Sequence, residues 1–421
     1  MLAQSSSVTP ARQAAFAVLR RVAEQGAYAD RAFHAEARDL AGRERAFARQ
    51  LAYGTVQRLG TLDHHIAALA RPVERLDPAV AAALRLGLFQ LLYLDGVPDH
   101  AAVAESVELA KYEGERRGGH RLVNAVLRRA ARERPRPPGD ATPAAAAIHH
   151  SQPRWLVDLW WRQFGADEAR ELLASTNRPA ELALRVNTLV TDSASLAGAL
   201  PVPTRPCSVL PDEGLVVDGP FDAHGHPLFA AGAYQPQSRA SMRVAPALDP
   251  QPGERVLDLC AAPGGKTTHL AARMGDRGSI VSVERHAGRA RALERTVGRM
   301  RASCVEVRVG DAAEMTFAPE FDRVLVDPPC SGLGTLQGHP DLRWRMTPEK
   351  IEELAELQER ILERALGALR PGGTLVYSTC TLTVRENEDV LRRLGLEPAS
   401  VARVLPHQER TEGFTIATVT P

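Results

Sequence analysis

Lysine is almost missing from this chain. Only Lys111, Lys266 and Lys350 occur, and arginine supplies the rest of the 52 basic residues. A composition that avoids lysine makes Lys266, set inside a glycine turn, a residue in need of a chemical reason. Cysteine is sparse as well. Five thiols with no C-x-x-C pair are not a disulfide scaffold, which points to a reducing compartment and a cytoplasmic protein. No run of eighteen apolar residues is present. The best candidate, VAAALRLGLFQLLYL, carries Arg85 in its middle, so a membrane-spanning helix is excluded. The opening MLAQSSSVTPARQ has no basic patch followed by an apolar core, and no secretory leader is expected. Net charge is lacking too: +1 at pH 7 says nothing about partners. The first 140 residues nevertheless hold an excess of about five positive charges.

What is present is ordinary globular material, 44% hydrophobic and 24% charged, in a length that suits two or three domains. Residues 1–135 read as helices throughout, with apolar positions three and four apart and Pro or Gly between the runs. The last of them, HRLVNAVLRRAARER, sets Leu122, Val126 and Leu127 on one face and Arg128, Arg129, Arg132 and Arg134 towards another. A Pro/Ala linker follows over 136–150. Residues 151–245 form a mixed segment with a Trp-rich helix and the short strand ALRVNTL. In residues 246–421 the runs RVLDLC, GSIVSVE, CVEVRVGD, DRVLVD and GTLVYSTC alternate with helical stretches. That order predicts a doubly wound, mostly parallel sheet, so the expected fold class is α + α/β.

Ligands in such a sheet sit beyond the carboxyl ends of the strands. The first strand ends at Asp258 and runs into the turn Cys260, Ala261, Ala262, Pro263, Gly264, Gly265, Lys266, whose small residues allow a close backbone approach to a ligand. Glu284 ends the second strand, about twenty residues on, where an acid accepts both ribose hydroxyls. Asp311 follows the third strand, Asp327-Pro-Pro-Cys330 the fourth and Ser378-Thr-Cys380 the fifth. GGKT invites a P-loop reading, with RVLVD as the magnesium-binding strand. Cys260 stands where that loop needs its first glycine, and GxGxxG is absent, so S-adenosylmethionine ranks ahead of ATP and NAD.

A lone cysteine is more often packing than chemistry, which is the reading for Cys207 and Cys304, while Cys260 offers a ligand its backbone. Cys330 and Cys380 differ because both lie just past strands at the ligand edge. No His or third Cys accompanies them at metal-ligand spacing, so no metal is expected. Thiols beside S-adenosylmethionine suit carbon 5 of cytosine, which is too poor a nucleophile to take a methyl group unaided. A thiolate adding to carbon 6 activates it, a carboxyl group orients the ring, and a base then removes the carbon 5 proton. Lys266 is the candidate for the positive charge that favours a thiolate. N6-amino methylation would want an aromatic residue after Asp-Pro-Pro, where Cys330 stands.

DLCAAPGGKTTHL, VLVDPPCSGLGT with HPDLRW, and GTLVYSTCTLTVRENEDV together resemble the RNA (cytosine-5)-methyltransferases of the Sun/NSUN group. RLGLFQLLYLDGVPDHAAVAESVELA and LVNAVLRR look like the NusB-type domain of its bacterial RsmB branch, and LRVNT is similar to that branch's middle segment. The resemblance implies a NusB-like RNA-binding domain followed by a Rossmann-like class I S-adenosylmethionine-dependent methyltransferase domain acting on 16S rRNA, free or in a pre-ribosomal particle. It implies Cys380 as nucleophile, Cys330 as the group that releases product, and Asp327 on the cytosine. Cys260 to Lys266 would wrap the cofactor, with Glu284 on its ribose and Asp311 on its adenine. Glu284 stands where the family often has Asp, Ser238 in QSRAS replaces an acid, and Thr415 follows Phe414 where an aromatic is common. DNA cytosine methyltransferases use the Cys of the Pro-Cys pair, which would make Cys330 the attacker; the second cysteine motif favours Cys380. A noncatalytic antitermination-type RNA binder and an RNA-dependent ATPase are the competing classes, and the expected state is a monomer without membrane contact.

Overall fold

The helix Pro78–Tyr93 shows how the apolar run with a central arginine is used. Asp77 caps it by accepting from the Ala79 amide at 3.0 Å, with Pro78 at the first helical position. From Ala79 to Leu91 every side chain except that of Arg85 is buried, so the helix is apolar all round and sits at the centre of a bundle. Arg85 escapes along its own stem and closes on both oxygens of Asp63, at 2.7 and 2.8 Å. Around it pack Pro10–Gln25, Gly42–Gln57, Leu59–Leu69, Asp99–Glu113 and Gly119–Glu133.

This is a computed structural model, and it describes residues 8–113 and 118–420. The opening residues read above for a leader lie partly outside the described ones. Among the described residues no helix is long and apolar enough to cross a membrane. Contacts divide the chain into two units, residues 1–177 with 338–345, and residues 178–337 with 346–421.

In the helical unit, Gly119–Glu133 is amphipathic as its sequence requires: Val123, Val126 and Leu127 are buried, while Arg128, Arg129, Arg132 and Arg134 are exposed. Two of the four arginines are already paired, Arg129 with Glu133 at 2.8 Å and Arg134 with Asp99 at 2.7 Å. Residues 338–345 join this unit through a fully buried Arg343. Its guanidinium donates to the carbonyls of Pro340 (3.1 Å), Ser151 (3.2 Å) and Thr176 (3.2 Å) and to Asn177 Oδ1 (3.0 Å). Beside it Trp344 Nε1 donates to the Val56 carbonyl at 2.8 Å.

The second unit holds two sheets. The smaller is antiparallel, built from β1 (Ala183–Val186), β2 (Thr204–Pro206), β3 (Gly214–Val217) and β4 (Tyr234–Pro236) in the order β2-β3-β1-β4. The larger contains β5 (Arg255–Asp258), β6 (Ser279–Glu284), β7 (Val305–Val309), β8 (Phe321–Val326), β9 (Leu369–Thr379), β10 (Ser400–Val404) and β11 (Phe414–Val419). Its order is β10-β11-β9-β8-β5-β6-β7, with β5 to β9 parallel and β10 and β11 antiparallel. The chain leaves β5 towards β6 and β7, then returns to its other side with β8 and β9. That reversal places a crevice outside the carboxyl ends of β5 and β8. The central strands are covered on both faces: Leu257, Val324 and Leu375 point into one apolar cluster, and Val256, Leu325 and Val376 into the other.

Candidate active site

The carboxyl ends of five strands meet around a cavity of about 300 Å³. Leu259, Cys260 and Ala262 line it after β5, Glu284 to His286 after β6, Asp311 and Ala312 after β7, Asp327 to Cys330 after β8, and Cys380 after β9. The β5 turn closes tightly because Gly264 sits at φ +103°, where a Cβ would also fall 2.7 Å from Leu293 Cδ1. The helix Gly265–Arg273 starts there. Glu284 accepts from the His286 amide at 2.9 Å, and Asp311 accepts from the Ala313 amide at 3.0 Å. Arg285 approaches Asp311 at 3.2 Å and Arg289 approaches Glu284 at 3.5 Å.

Lys266 does not point at open space. Its Nζ donates to Asp327 Oδ2 at 2.6 Å, and Ser378 Oγ donates to Asp327 Oδ1 at 2.9 Å. The Asp327 carboxylate is therefore fixed from the helix that follows β5 and from β9 at once. The two thiols of the ligand edge meet directly, with Cys330 Sγ 3.3 Å from Cys380 Sγ. The Cys380 backbone is anchored too: its carbonyl accepts from the Gly334 amide at 2.9 Å, and a Cβ on Gly334 would lie 2.1 Å from the Gly413 carbonyl oxygen.

The electrostatics of this edge follow from burial and from its neighbours. The hydrogen bond with Cys380 and then burial push the Cys330 thiol well above the ordinary range. Burial likewise raises Cys260 well above it. Burial pulls Lys266 down, but the Asp327 charge and hydrogen bond outweigh it and the ammonium is held above its usual value. Asp258 is pushed up to about 6, chiefly by burial, against the hydrogen bond from Thr267 and with Asp327 adding to the rise. Among the described residues its Oδ1 has no hydrogen-bond partner. A raised carboxylate is no burden below its unfolded pKa, where both states are protonated; the cost grows as pH rises to about 6 and is full above it. A shift from 3.8 to about 6 amounts to about 3 kcal/mol. Asp258→Asn, compared with the parent by urea unfolding from pH 4 to 7, should therefore remove a pH-dependent loss of that order. Parallel stability curves for the two proteins would refute it.

Of the residues singled out by sequence, Cys260, Ala262, Glu284, Asp311, Asp327, Cys330 and Cys380 line the cavity together. Ala261, Pro263, Gly264 and Gly265 form the turn behind it, and Lys266 reaches it through Asp327. Cys207 is buried in a separate small cluster and Cys304 packs behind the sheet; burial raises both thiols, to about 11 and about 12. Ser238 caps the short helix Arg239–Met242 by accepting from the Ser241 amide at 3.2 Å. Sequence reasoning missed Arg285, His286 and Arg289, which flank Glu284, and Leu357 and Ile361 from the helix Pro348–Ala368, which close the cavity. Arg285 directly after the strand-end Glu284, with Arg289 about one helical turn further on, was the available signal. Away from this edge, Asp140, His149 and His150 bring ligand-type atoms within 4.8 Å of one another. There His150 Nε2 bonds Asp140 Oδ2 at 2.9 Å and His149 Nδ1 bonds the Pro138 carbonyl at 2.7 Å.

A parallel sheet of this order, with acids after successive strands around a crevice at the chain reversal, defines a Rossmann-like methyltransferase domain. The family model for the 16S rRNA methyltransferase RsmB/F matches residues 245–420, that of the NusB family residues 9–132, and that of the RsmF/B-like ferredoxin-like domain residues 152–224. The Synechocystis sp. protein named "Probable ribosomal RNA small subunit methyltransferase B" is 38% identical, over 97% of this chain and 98% of that one. The crystal structure of PH0851 superposes with a TM-score of 0.83 at 28% identity, covering 99% of each chain. NSun6 from Pyrococcus horikoshii, solved with SFG, gives a TM-score of 0.58 at 25% identity over 64% of this chain and 98% of its own. The chain belongs to the RsmB family of ribosomal RNA small subunit methyltransferases.

Proposed function

We propose that this protein methylates carbon 5 of a cytidine in 16S rRNA in the cytoplasm, with S-adenosylmethionine as donor and a covalent cysteine–carbon 6 adduct on the path. The observation that carries the reading is the meeting of two thiols, 3.3 Å apart, on the wall of the strand-end cavity. The cavity suits the donor chemically. It offers Glu284 for ribose hydroxyls, Asp311 for adenine, the backbone of the Cys260 to Lys266 turn as a wrap, and Asp327 near the methionine end. The NSun6 structure, solved with the S-adenosylmethionine analogue SFG, supports the same choice. When bound, S-adenosylmethionine supplies an electrophilic methyl group for carbon 5.

The remaining work falls to side chains. The Cys380 thiolate bonds to carbon 6, and the ring electrons it displaces make carbon 5 nucleophilic. Asp327, fixed by Lys266 and Ser378, orients the ring at nitrogen 3 and the exocyclic amine. After carbon 5 has been alkylated, the Cys330 thiolate takes its proton. The freed electron pair restores the ring double bond and expels Cys380. Adduct formation also removes the Cys380 hydrogen bond, the largest cause of the high Cys330 pKa, so Cys330 ionises more readily at the step that needs a base. A P-loop assignment is disfavoured because Cys260 stands where that loop needs its first glycine. Bisulfite sequencing of 16S rRNA from a strain lacking this gene, with and without complementation, should show one cytosine losing protection and regaining it. Full retention of every protected cytosine in 16S rRNA would overturn the substrate.

A further inference from the structure

Behind the two thiols lies a buried polar cluster that the chemistry above does not use. Glu386 is fully buried, and both of its oxygens are engaged. Oε1 accepts from the Ser331 amide at 2.7 Å and from Gln358 Nε2 at 3.2 Å. Oε2 accepts from Ser331 Oγ at 2.6 Å and from Thr383 Oγ1 at 2.8 Å. Ser331 directly follows Cys330, and Thr381 directly follows Cys380. Their hydroxyls lie 2.7 Å apart. With the Ser331 proton donated to Glu386, the Thr381 hydroxyl is left to donate to Ser331. Gln358 also donates to the Pro329 carbonyl at 2.9 Å, and Tyr377 Oη donates to the Glu386 carbonyl at 2.7 Å. The residues flanking each cysteine are thereby tied to one carboxylate.

We propose that Glu386 is a positioning residue that fastens the Cys330 loop to the Cys380 loop and so fixes the distance between the two sulfurs. The proposal rests on the two-thiol reading of the site. An acid suits the task because it accepts from four donors at once and donates to none, and charge-assisted hydrogen bonds in a dry interior are stiff. Glutamine in its place would turn an NH2 group towards a cluster of donors. Threonine and serine hydroxyls then complete the bridge beside the point where the two sulfurs meet. The Glu386 charge also adds to the causes that keep Cys330 protonated, behind the Cys380 hydrogen bond and burial.

The test uses the full chain and a probe that reads sulfur spacing without any methyl transfer. Phenylarsine oxide binds two thiols together only when they are close enough for one arsenic. The parent protein should bind it tightly, and Cys330→Ala and Cys380→Ala should each abolish that binding. In Glu386→Gln, arsenical affinity should fall at least ten-fold and kcat for methylation by a similar factor, while S-adenosylmethionine affinity stays within two-fold. The pH dependence of adduct release should shift towards acid, because a negative charge beside Cys330 is gone. Thr381→Val removes only the hydroxyl bridge and should weaken arsenical binding in a protein of unchanged fold. It decides the matter if Glu386→Gln does not fold. Arsenical affinity and kcat at parental levels in a folded Glu386→Gln, or in Thr381→Val, would overturn the proposal. Normal arsenical behaviour in a protein that methylates no cytosine would leave the clamp standing and remove the two-thiol function instead.

Discussion

Replacing Cys380 with alanine is expected to lower methyl transfer to 16S rRNA roughly ten-thousand-fold while leaving S-adenosylmethionine affinity within about two-fold of the parent value. The size of the loss follows from the role. Without a thiolate on carbon 6, carbon 5 has no usable electron pair, and the thiol placed beside Cys380 to take its part is Cys330, 3.3 Å away. The small effect on the cofactor follows from the geometry. The Gly334 amide holds Cys380 through its carbonyl, which alanine keeps, and the Glu284, Asp311 and Asp327 walls of the cavity are untouched. Single-turnover methylation and calorimetric titration with S-adenosylmethionine measure the two quantities. A Cys380→Ala protein that still methylates at more than a tenth of the parent rate would hand the attack to Cys330, as in the DNA cytosine enzymes.

Cys330→Ala should fail later in the cycle. In the proposed mechanism, attack by Cys380 and methylation of carbon 5 proceed in this variant, but the base for the carbon 5 proton is missing. Steady-state turnover should fall roughly hundred- to ten-thousand-fold, the range for loss of a general base. A protein–RNA complex that survives denaturing electrophoresis should accumulate, carrying one methyl group per chain. The complex should be absent from the Cys330→Ala/Cys380→Ala double variant. Turnover at the parent level with no trapped complex would show that proton removal belongs to another group or to water.

The sheet was legible because its central strands are buried on both faces and read as continuous apolar runs; RVLDLC, GSIVSVE and DRVLVD could hardly be anything else. β10 left no such mark, since four of its five residues are exposed at the sheet edge. The smaller sheet was read only at ALRV, although all four residues of β3 are buried as well; β2 and β4 are three residues long and too short to show a period. Arg343 looks like one more surface arginine in a chain rich in them, and the backbone carbonyls gathered around it, with the Trp344–Val56 bond beside it, show that residues 338–345 pack with the helices. In the site, strand-end position alone picked out Glu284, Asp311, Asp327, Cys330 and Cys380, because a parallel sheet delivers those positions to one edge. The Lys266–Asp327 bond crosses 61 residues of sequence, and the Glu386–Ser331 bonds cross 55, so neither has a local signature.

The most direct measurement is peptide mapping by mass spectrometry of the parent protein trapped on a 16S rRNA fragment containing 5-fluorocytosine. Fluorine at carbon 5 cannot leave as a proton does, so the adduct cannot resolve and the attacking residue stays marked. The nucleotide mass is expected on the tryptic peptide that contains Cys380, with Cys330 free to alkylation. Attachment through Cys330, or full methylation chemistry without any cysteine-linked nucleotide, would contradict it.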